Sequence, residues 1–196
     1  MIFVTIGTQE PFDRLIKAID ETVPLLGDVE VIAQVSNTGY LVKNMKTLEF
    51  VSPTEFNTYF AKAKLIISHA GMGTILSALV QEKPIIVMPR LAKLGEHRNE
   101  HQLATANRFN ELGYINVAYD EADLKSKVLA MVNTSLEPLH KIGYHASDQL
   151  ISSLQESIER PRSGKGHVWV KKSKKEKSIY KLMLRKVLNN IKRETK

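Results

Sequence analysis

Short apolar runs alternate along the chain with stretches in which apolar residues recur every three or four positions. Ile2, Phe3, Val4, Thr5 and Ile6 predict a strand, Gly7 and Thr8 a tight turn, and Phe12, Leu15, Ile16 and Ile19 one face of a helix. Further strands are expected at residues 29–35, 48–51 and 64–68, and again at 84–88 and 114–118. Pro53 opens a helix whose apolar face is Phe56, Tyr59 and Phe60, since its missing N–H is of no consequence in a first turn. A helix after Gly73 should turn Ile75, Leu76, Leu79 and Val80 inward, and one at 102–112 should stop at Gly113. Two more, at 121–132 and about 147–158, complete the pattern. Buried strands alternating with helices imply an α/β fold, a mostly parallel sheet with helices on both faces. Ligands of such sheets lie at the carboxyl ends of the strands.

Length makes this one domain, residues 1–160, with an appendage at 161–196; a 196-residue chain is too short for two full-sized domains. Cysteine is absent, which removes disulfides and thiolate metal sites and suits a reducing compartment. No apolar stretch approaches the roughly 20 residues that span a bilayer, and the first residues read as a strand, not as a signal peptide.

Charge changes the picture only at the end of the chain. The net charge is +7, but residues 160–196 carry 14 of the 28 Lys and Arg and 2 of the 21 Asp and Glu, so the tail is about +12 and the body about −5. A linker is expected at 161–166, then a lysine-rich run at 171–177. Over 178–192, Tyr180, Met183, Leu184, Val187, Leu188 and Ile191 fall at helical spacing, the pattern of a basic amphipathic helix. With Trp169 beside it, the tail is expected to meet an anionic membrane surface, with packing on a partner or on the body as the alternatives. Nucleic acid is not expected, because no reading surface accompanies the charge.

Three stretches carry candidate chemistry. Ser68-His69-Ala70-Gly71-Met72-Gly73-Thr74 joins a buried strand to a helix start. Its glycines let backbone approach a ligand, its helix N-terminus offers free N–H groups to a pyrophosphate, and His69 and Thr74 add a ring donor and a hydroxyl. The same sequence also fits a βα turn with no ligand. Gly7-Thr8-Gln9-Glu10 ends the first strand and belongs to the same rim, either as the facing wall of a cleft or simply as a turn. Pro89-Arg90, followed by Gly95-Glu96-His97-Arg98-Asn99-Glu100-His101-Gln102, is a polar loop able to bond sugar hydroxyls or to cap a helix. There is no Asp-x-Asp, and His97 and His101, four apart, have no evident third metal ligand.

Together these stretches resemble the donor-binding subunits of split glycosyltransferases related to glycosyltransferase family 28. They are similar to the catalytic subunit of the eukaryotic dolichol-linked N-acetylglucosaminyltransferase and to bacterial subunits of capsular or exopolysaccharide assembly. The resemblance runs through Phe3-Val4-Thr5-Ile6-Gly7-Thr8 with Phe12-Asp13 and Leu15-Ile16, through residues 67–74, and through Pro89-Arg90 to His101-Gln102, about residues 1–112. It implies a Rossmann-like domain equivalent to the C-terminal half of a GT-B enzyme, and an inverting transfer of a hexose from UDP-galactose, UDP-glucose or UDP-N-acetylglucosamine to a lipid-linked saccharide. No cofactor or metal is implied. Gly7, Thr8, His69, Gly71, Gly73 and Thr74 match positions that hold the donor diphosphate, and Glu100, His101 and Gln102 those at the sugar. Ser77 stands where many relatives have an acidic residue on the ribose. No catalytic base is expected in this chain. A membrane-anchored partner should supply the base and the acceptor site, which would put the protein in the cytoplasm at the inner face of the plasma membrane. A non-catalytic nucleotide-binding module that regulates a partner is the alternative reading; a nucleotide-sugar epimerase would need both halves in one chain.

Overall fold

The computed structural model describes residues 1–36, 38–134, 136–143 and 152–153, and Met1–Ala146 forms one compact unit. The expected 161–166 linker, the amphipathic 178–192 helix and all but two residues of the expected 147–158 helix lie outside the described residues.

The strands are β1 (Ile2–Thr5), β2 (Val31–Gln34), β3 (Lys46–Leu48), β4 (Leu65–His69), β5 (Ile85–Met88) and β6 (Asn116–Val117). The helices are α1 (Asp13–Asp20), α2 (Pro53–Lys62), α3 (Met72–Val80), α4 (His101–Glu111) and α5 (Glu121–Val132). One sheet runs in the order β3-β2-β1-β4-β5-β6, with every neighbouring pair parallel. The order reverses between β1 and β4, the point at which diverging loops open a crevice in a doubly wound sheet.

Side-chain alternation along β1 shows how the sheet separates two cores. Ile2, Val4 and Ile6 pack with Leu15, Ile16 and Ile19 of α1 and Leu124 and Val128 of α5. Phe3 faces the other way, among Phe60 of α2, Ile75 and Leu79 of α3 and Ala106 of α4. With both faces covered, the central strands carry continuous apolar runs and not an alternating pattern, as the sequence implied, and β1, β2 and β4 turn polar only at their carboxyl ends.

Two strands and one helix face differ from expectation. β3 lies at Lys46–Leu48 and not at 48–51, because pairing with β2 stops at Leu48, and Val51 is buried from the loop that leads into α2. β6 is only two residues long instead of five, an edge element with one neighbour. On α3 the buried residues are Ile75, Ala78 and Leu79, while Leu76 is 41% exposed. The buried set has the i, i+3, i+4 spacing of a single stripe, and Leu76 is turned about 100° from Ile75.

Candidate functional site

Each βα connection leaves the carboxyl end of its strand, so β1, β4 and β5 deliver their loops to one rim. Three of those loops enclose an open polar cleft of about 550 Å³, lined by Ile6, Gly7, Thr8, Gln9, Glu10, His69, Gly71, Gly73, Thr74, Arg90, His97 and Gln102. All six residues expected at a diphosphate therefore meet in one place.

The β4–α3 turn is shaped by the absence of side chains. Gly71 has ordinary extended backbone (φ −85°, ψ 129°), so conformation does not require glycine there. Packing does: a Cβ on Gly71 would lie 2.2 Å from His69 Nε2, well inside any real contact. Gly7 encloses the same ring from the other loop, with φ +78° and a hypothetical Cβ 3.0 Å from His69 Cε1. At Gly73 a Cβ would meet nothing within 4 Å, so the space beside it is open.

Burial, reinforced by the nearby Arg90 and His97 charges, pushes His69 down to about 4 from the ordinary 6.5, so the ring is neutral at physiological pH. Ser68 Oγ donates to the Thr5 carbonyl at 3.0 Å and lies 3.3 Å from His69 Nδ1. A hydrogen bond between the ring and the Thr5 backbone opposes the downward shift in part. The ring lies between Gly7 and Gly71 and lines the cleft.

Helix α3 begins without a cap of its own. Gly71 at the N-cap has no side chain to offer, and the first helical bond, Ile75 N to Gly71 O, is made only at the fourth residue. The Met72, Gly73 and Thr74 N–H groups thus have no intrahelical acceptor. Two other helices fill such positions, Ser52 and Glu55 forming a reciprocal box at α2 and Asp120 capping α5, while α1 and α4 also lack a side-chain cap. Uncapped donors at the positive end of a helix, opening on a cleft, suit an anion.

Opposite, the 7–10 loop is held by its carbonyls. Gln34 Nε2, from β2, donates to the Gly7 carbonyl at 3.2 Å, and Gln34 Oε1 accepts from Thr5 Oγ1 at 2.5 Å. In a trans peptide C=O and N–H are opposed, so gripping the Gly7 oxygen turns the Thr8 N–H away from Gln34. Arg90, 3% exposed, donates to the Ile6, Glu10 and Pro11 carbonyls.

The β5–α4 loop is stitched by charge. Arg14 Nε and Nη2 make a fork to Glu96 at 2.6 and 2.8 Å, Arg14 also reaches the Pro89 carbonyl, and Glu96 accepts from Leu91 N. Among the residues expected at the sugar, Gln102 lines the cleft, with Oε1 accepting from Arg90 N at 3.2 Å. Glu100 instead accepts from Ala92 N, His101 is exposed with its N–H bonded to Asn99, and neither lines the cleft. Ser77 lies in the second turn of α3 and is also outside the lining. Gln34 and the clamp role of Arg90 had no sequence signal, because their partners are 27 to 84 residues away. Among the described residues no three His, Asp or Glu side chains converge as metal ligands, and no helix is long and apolar enough to cross a membrane.

An all-parallel sheet in this order with a glycine-walled crevice at its reversal defines the class, a Rossmann-like α/β domain of the kind that forms the C-terminal half of GT-B glycosyltransferases. Residues 1–160 match the Glycosyltransferase family 28 C-terminal domain, and the chain belongs to that family. It is 37% identical over 78 residues to the UDP-N-acetylglucosamine transferase subunit ALG13 of Eremothecium gossypii, covering 39% of this chain and 36% of that protein. With human ALG13 it shares 28% over 124 residues, 58% of this chain and 10% of the human protein. The chain thus spans about a third or less of these curated relatives. Among solved structures, the NMR structure of ALG13 superposes with a TM-score of 0.50 at 23% identity, covering 78% of this chain and 93% of that one. A putative UDP-N-acetylglucosamine 2-epimerase from Listeria monocytogenes gives 0.54 at 13% identity, covering 85% and 48%. At such identities the likeness concerns the fold alone.

Proposed function

We propose that this chain is the donor-binding subunit of a glycosyltransferase and that its cleft holds the diphosphate of a UDP-sugar. One observation carries the reading: the uncapped N-terminus of α3 opens on a polar cleft whose opposite wall is a loop with its Ile6 and Gly7 carbonyls already bound, by Arg90 and Gln34. Helix N–H groups and the Thr8 N–H would bind the diphosphate, and as the glycosidic bond breaks they would stabilise the charge that develops on the departing UDP. This needs no metal ion, and an inverting displacement suits it. Gln102 is the sugar-side contact that the cleft favours. The ALG13 relatives are named as subunits of a UDP-N-acetylglucosamine transferase, which favours that donor over UDP-galactose and UDP-glucose.

The acceptor hydroxyl must lose a proton, and a general base has to lie within hydrogen-bond reach of it. The neutral His69 ring is packed between glycines, and Glu96 and Glu100 are engaged in their own loop. Glu10 and His97 also line the cleft; on the resemblance to split glycosyltransferases, we assign the base, and the site for a lipid-linked saccharide, to a membrane-anchored partner. The capsular or exopolysaccharide setting, and a place at the inner face of the plasma membrane, rest on the sequence resemblance and the basic tail.

Calorimetry with UDP, paired with sugar transfer to lipid-linked acceptor in the presence and absence of partner-containing membranes, tests this. UDP uptake by the isolated chain, with transfer only when membranes are added, is the expected outcome. Absence of UDP uptake would sink the donor-site reading; robust transfer by the chain alone would sink the assignment of the base to a partner.

A further inference from the structure

Arg90 is an unusual residue for its position. Arginine is rarely buried without a carboxylate, yet this one is 3% exposed and forms no ion pair among the described residues. Its bonds go to backbone oxygens: Nη2 to Ile6 at 2.8 Å and Glu10 at 2.6 Å, Nε to Pro11 at 3.4 Å. The guanidinium also lies 4.9 Å from the centre of the Phe12 ring. Glu96 is already held by the Arg14 fork, and Glu10 contributes its carbonyl here and not its carboxylate. Nη1 is left without a hydrogen-bond partner among the described residues, and Arg90 lines the cleft.

We propose that Arg90 is the positioning residue of the donor site, setting the β1–α1 loop as one wall of the cleft and holding there a positive charge that a diphosphate neutralises. Carbonyl oxygens supply only partial negative charge, so the cation is incompletely balanced until an anion enters. The planar fork explains the residue type. Two nitrogens of one rigid plane reach three carbonyls of the same loop, which a lysine ammonium on a flexible stem could not reproduce. Burial lowers the Arg90 pKa in the unliganded chain, and the Glu10 and Glu96 carboxylates, neither within ion-pair distance, oppose that shift only in part. The inference rests on the donor-site reading and adds a division of labour to it. The α3 N-terminus supplies neutral donors, and Arg90 supplies the full charge together with the shape of the opposing loop.

The test compares wild-type chain, Arg90→Met and Arg90→Lys, each titrated calorimetrically with UDP and with UMP, and each melted without ligand. Arg90→Met should melt cooperatively and bind UDP roughly 30-fold more weakly, the size of a lost charge-assisted hydrogen bond. UMP, lacking the second phosphate, should lose no more than about 3-fold, so the preference for UDP collapses by roughly 10-fold. Arg90→Lys keeps the charge and loses the fork, and should weaken UDP roughly 5-fold while keeping most of the preference. Equal losses for the two nucleotides would mean that Arg90 only packs the loop, and unchanged affinities would mean that it does not act on the site; either overturns the proposal. If Arg90→Met does not melt cooperatively, Arg90→Lys decides, and wild-type affinity in that variant is the refuting result. Failure of the wild-type chain to bind either nucleotide removes the donor site itself, which is distinct from a site that binds but is indifferent to residue 90.

Discussion

The β4–α3 turn and the β5–α4 loop leave neighbouring strands at the same rim, yet they are built by opposite means. The first is defined by what it lacks. Gly7 and Gly71 stand back from the His69 ring, Gly73 borders open space, and no side chain caps α3. The second is held by side chains acting over long range: Arg14 on Glu96 and Pro89, and Glu96 on Leu91. The same strand end also carries Arg90, which reaches the loop after β1. The comparison teaches how the labour is divided in this cleft. One loop leaves room and backbone donors for a ligand, and the other supplies the rigidity and charge that keep the opposing wall in place.

If that division holds, the largest effect belongs to the charged loop. Arg14→Met leaves Glu96, whose side chain is 13% exposed, without its fork, and should destabilise the chain by about 3 kcal/mol, near the lower bound for breaking a buried pair. Glu96→Gln in the same background should recover part of the loss. Urea denaturation of the two single variants and the double variant measures this, and additive losses would mean that the pair does not couple.

Next in size is the protonation of His69. Its folded pKa is about 4 against 6.5 unperturbed, so the unfolded chain binds the extra proton between those values. The contribution is complete above about pH 6.5 and is lost as pH falls toward 4, a decrease of about 2 kcal/mol between pH 7.5 and pH 5. His69→Gln should flatten that slope in denaturation curves recorded at the two pH values. A bound anion beside the ring should raise its pKa and flatten the slope too, so a wild-type slope indifferent to UDP would separate the ring from the ligand.

The smallest effect discriminates most sharply between space filled by protein and space left for a ligand. Gly71→Ala forces a Cβ into the His69 ring and should cost about 1.5 kcal/mol through overpacking. Gly73→Ala meets nothing in the unliganded chain and, inside a helix, should be neutral or stabilising by up to about 1 kcal/mol. Both should weaken UDP binding, Gly73→Ala purely by obstruction. Thermal melts and UDP titrations of the pair are the measurement, and a Gly73→Ala chain that binds UDP as wild type would place the ligand elsewhere.

The parallel α/β body was legible in the chain because its causes are local or periodic. Apolar runs such as Ile66-Ile67 and Ile85-Ile86-Val87 specify strands covered on both faces, the 3.6-residue spacing of Leu15, Ile16 and Ile19 specifies a helix face, and Gly71 followed by Gly73 marks a backbone that must approach something closely. Expectations faltered where neighbours set the outcome. The lengths of β3 and β6 depend on how far an adjacent strand continues to pair, and the burial of Leu76 depends on which stripe of α3 the sheet covers. The sugar-side triplet divided for the same reason. Gln102, His101 and Glu100 are adjacent in sequence, but the start of α4 turns only Gln102 into the cleft.

What the sequence determined by itself, then, was the order of layers and the position of the glycine turn, because propensity, periodicity and steric need act within a few residues. The tertiary structure alone decided that the His69 ring is buried and neutral, that Gln34 and Arg90 hold the opposing loop, and that Arg90 is buried at the cleft with no ion pair among the described residues. Desolvation and hydrogen-bond partnership are set by what lies across space, and in this chain those partners are 27 to 84 residues apart.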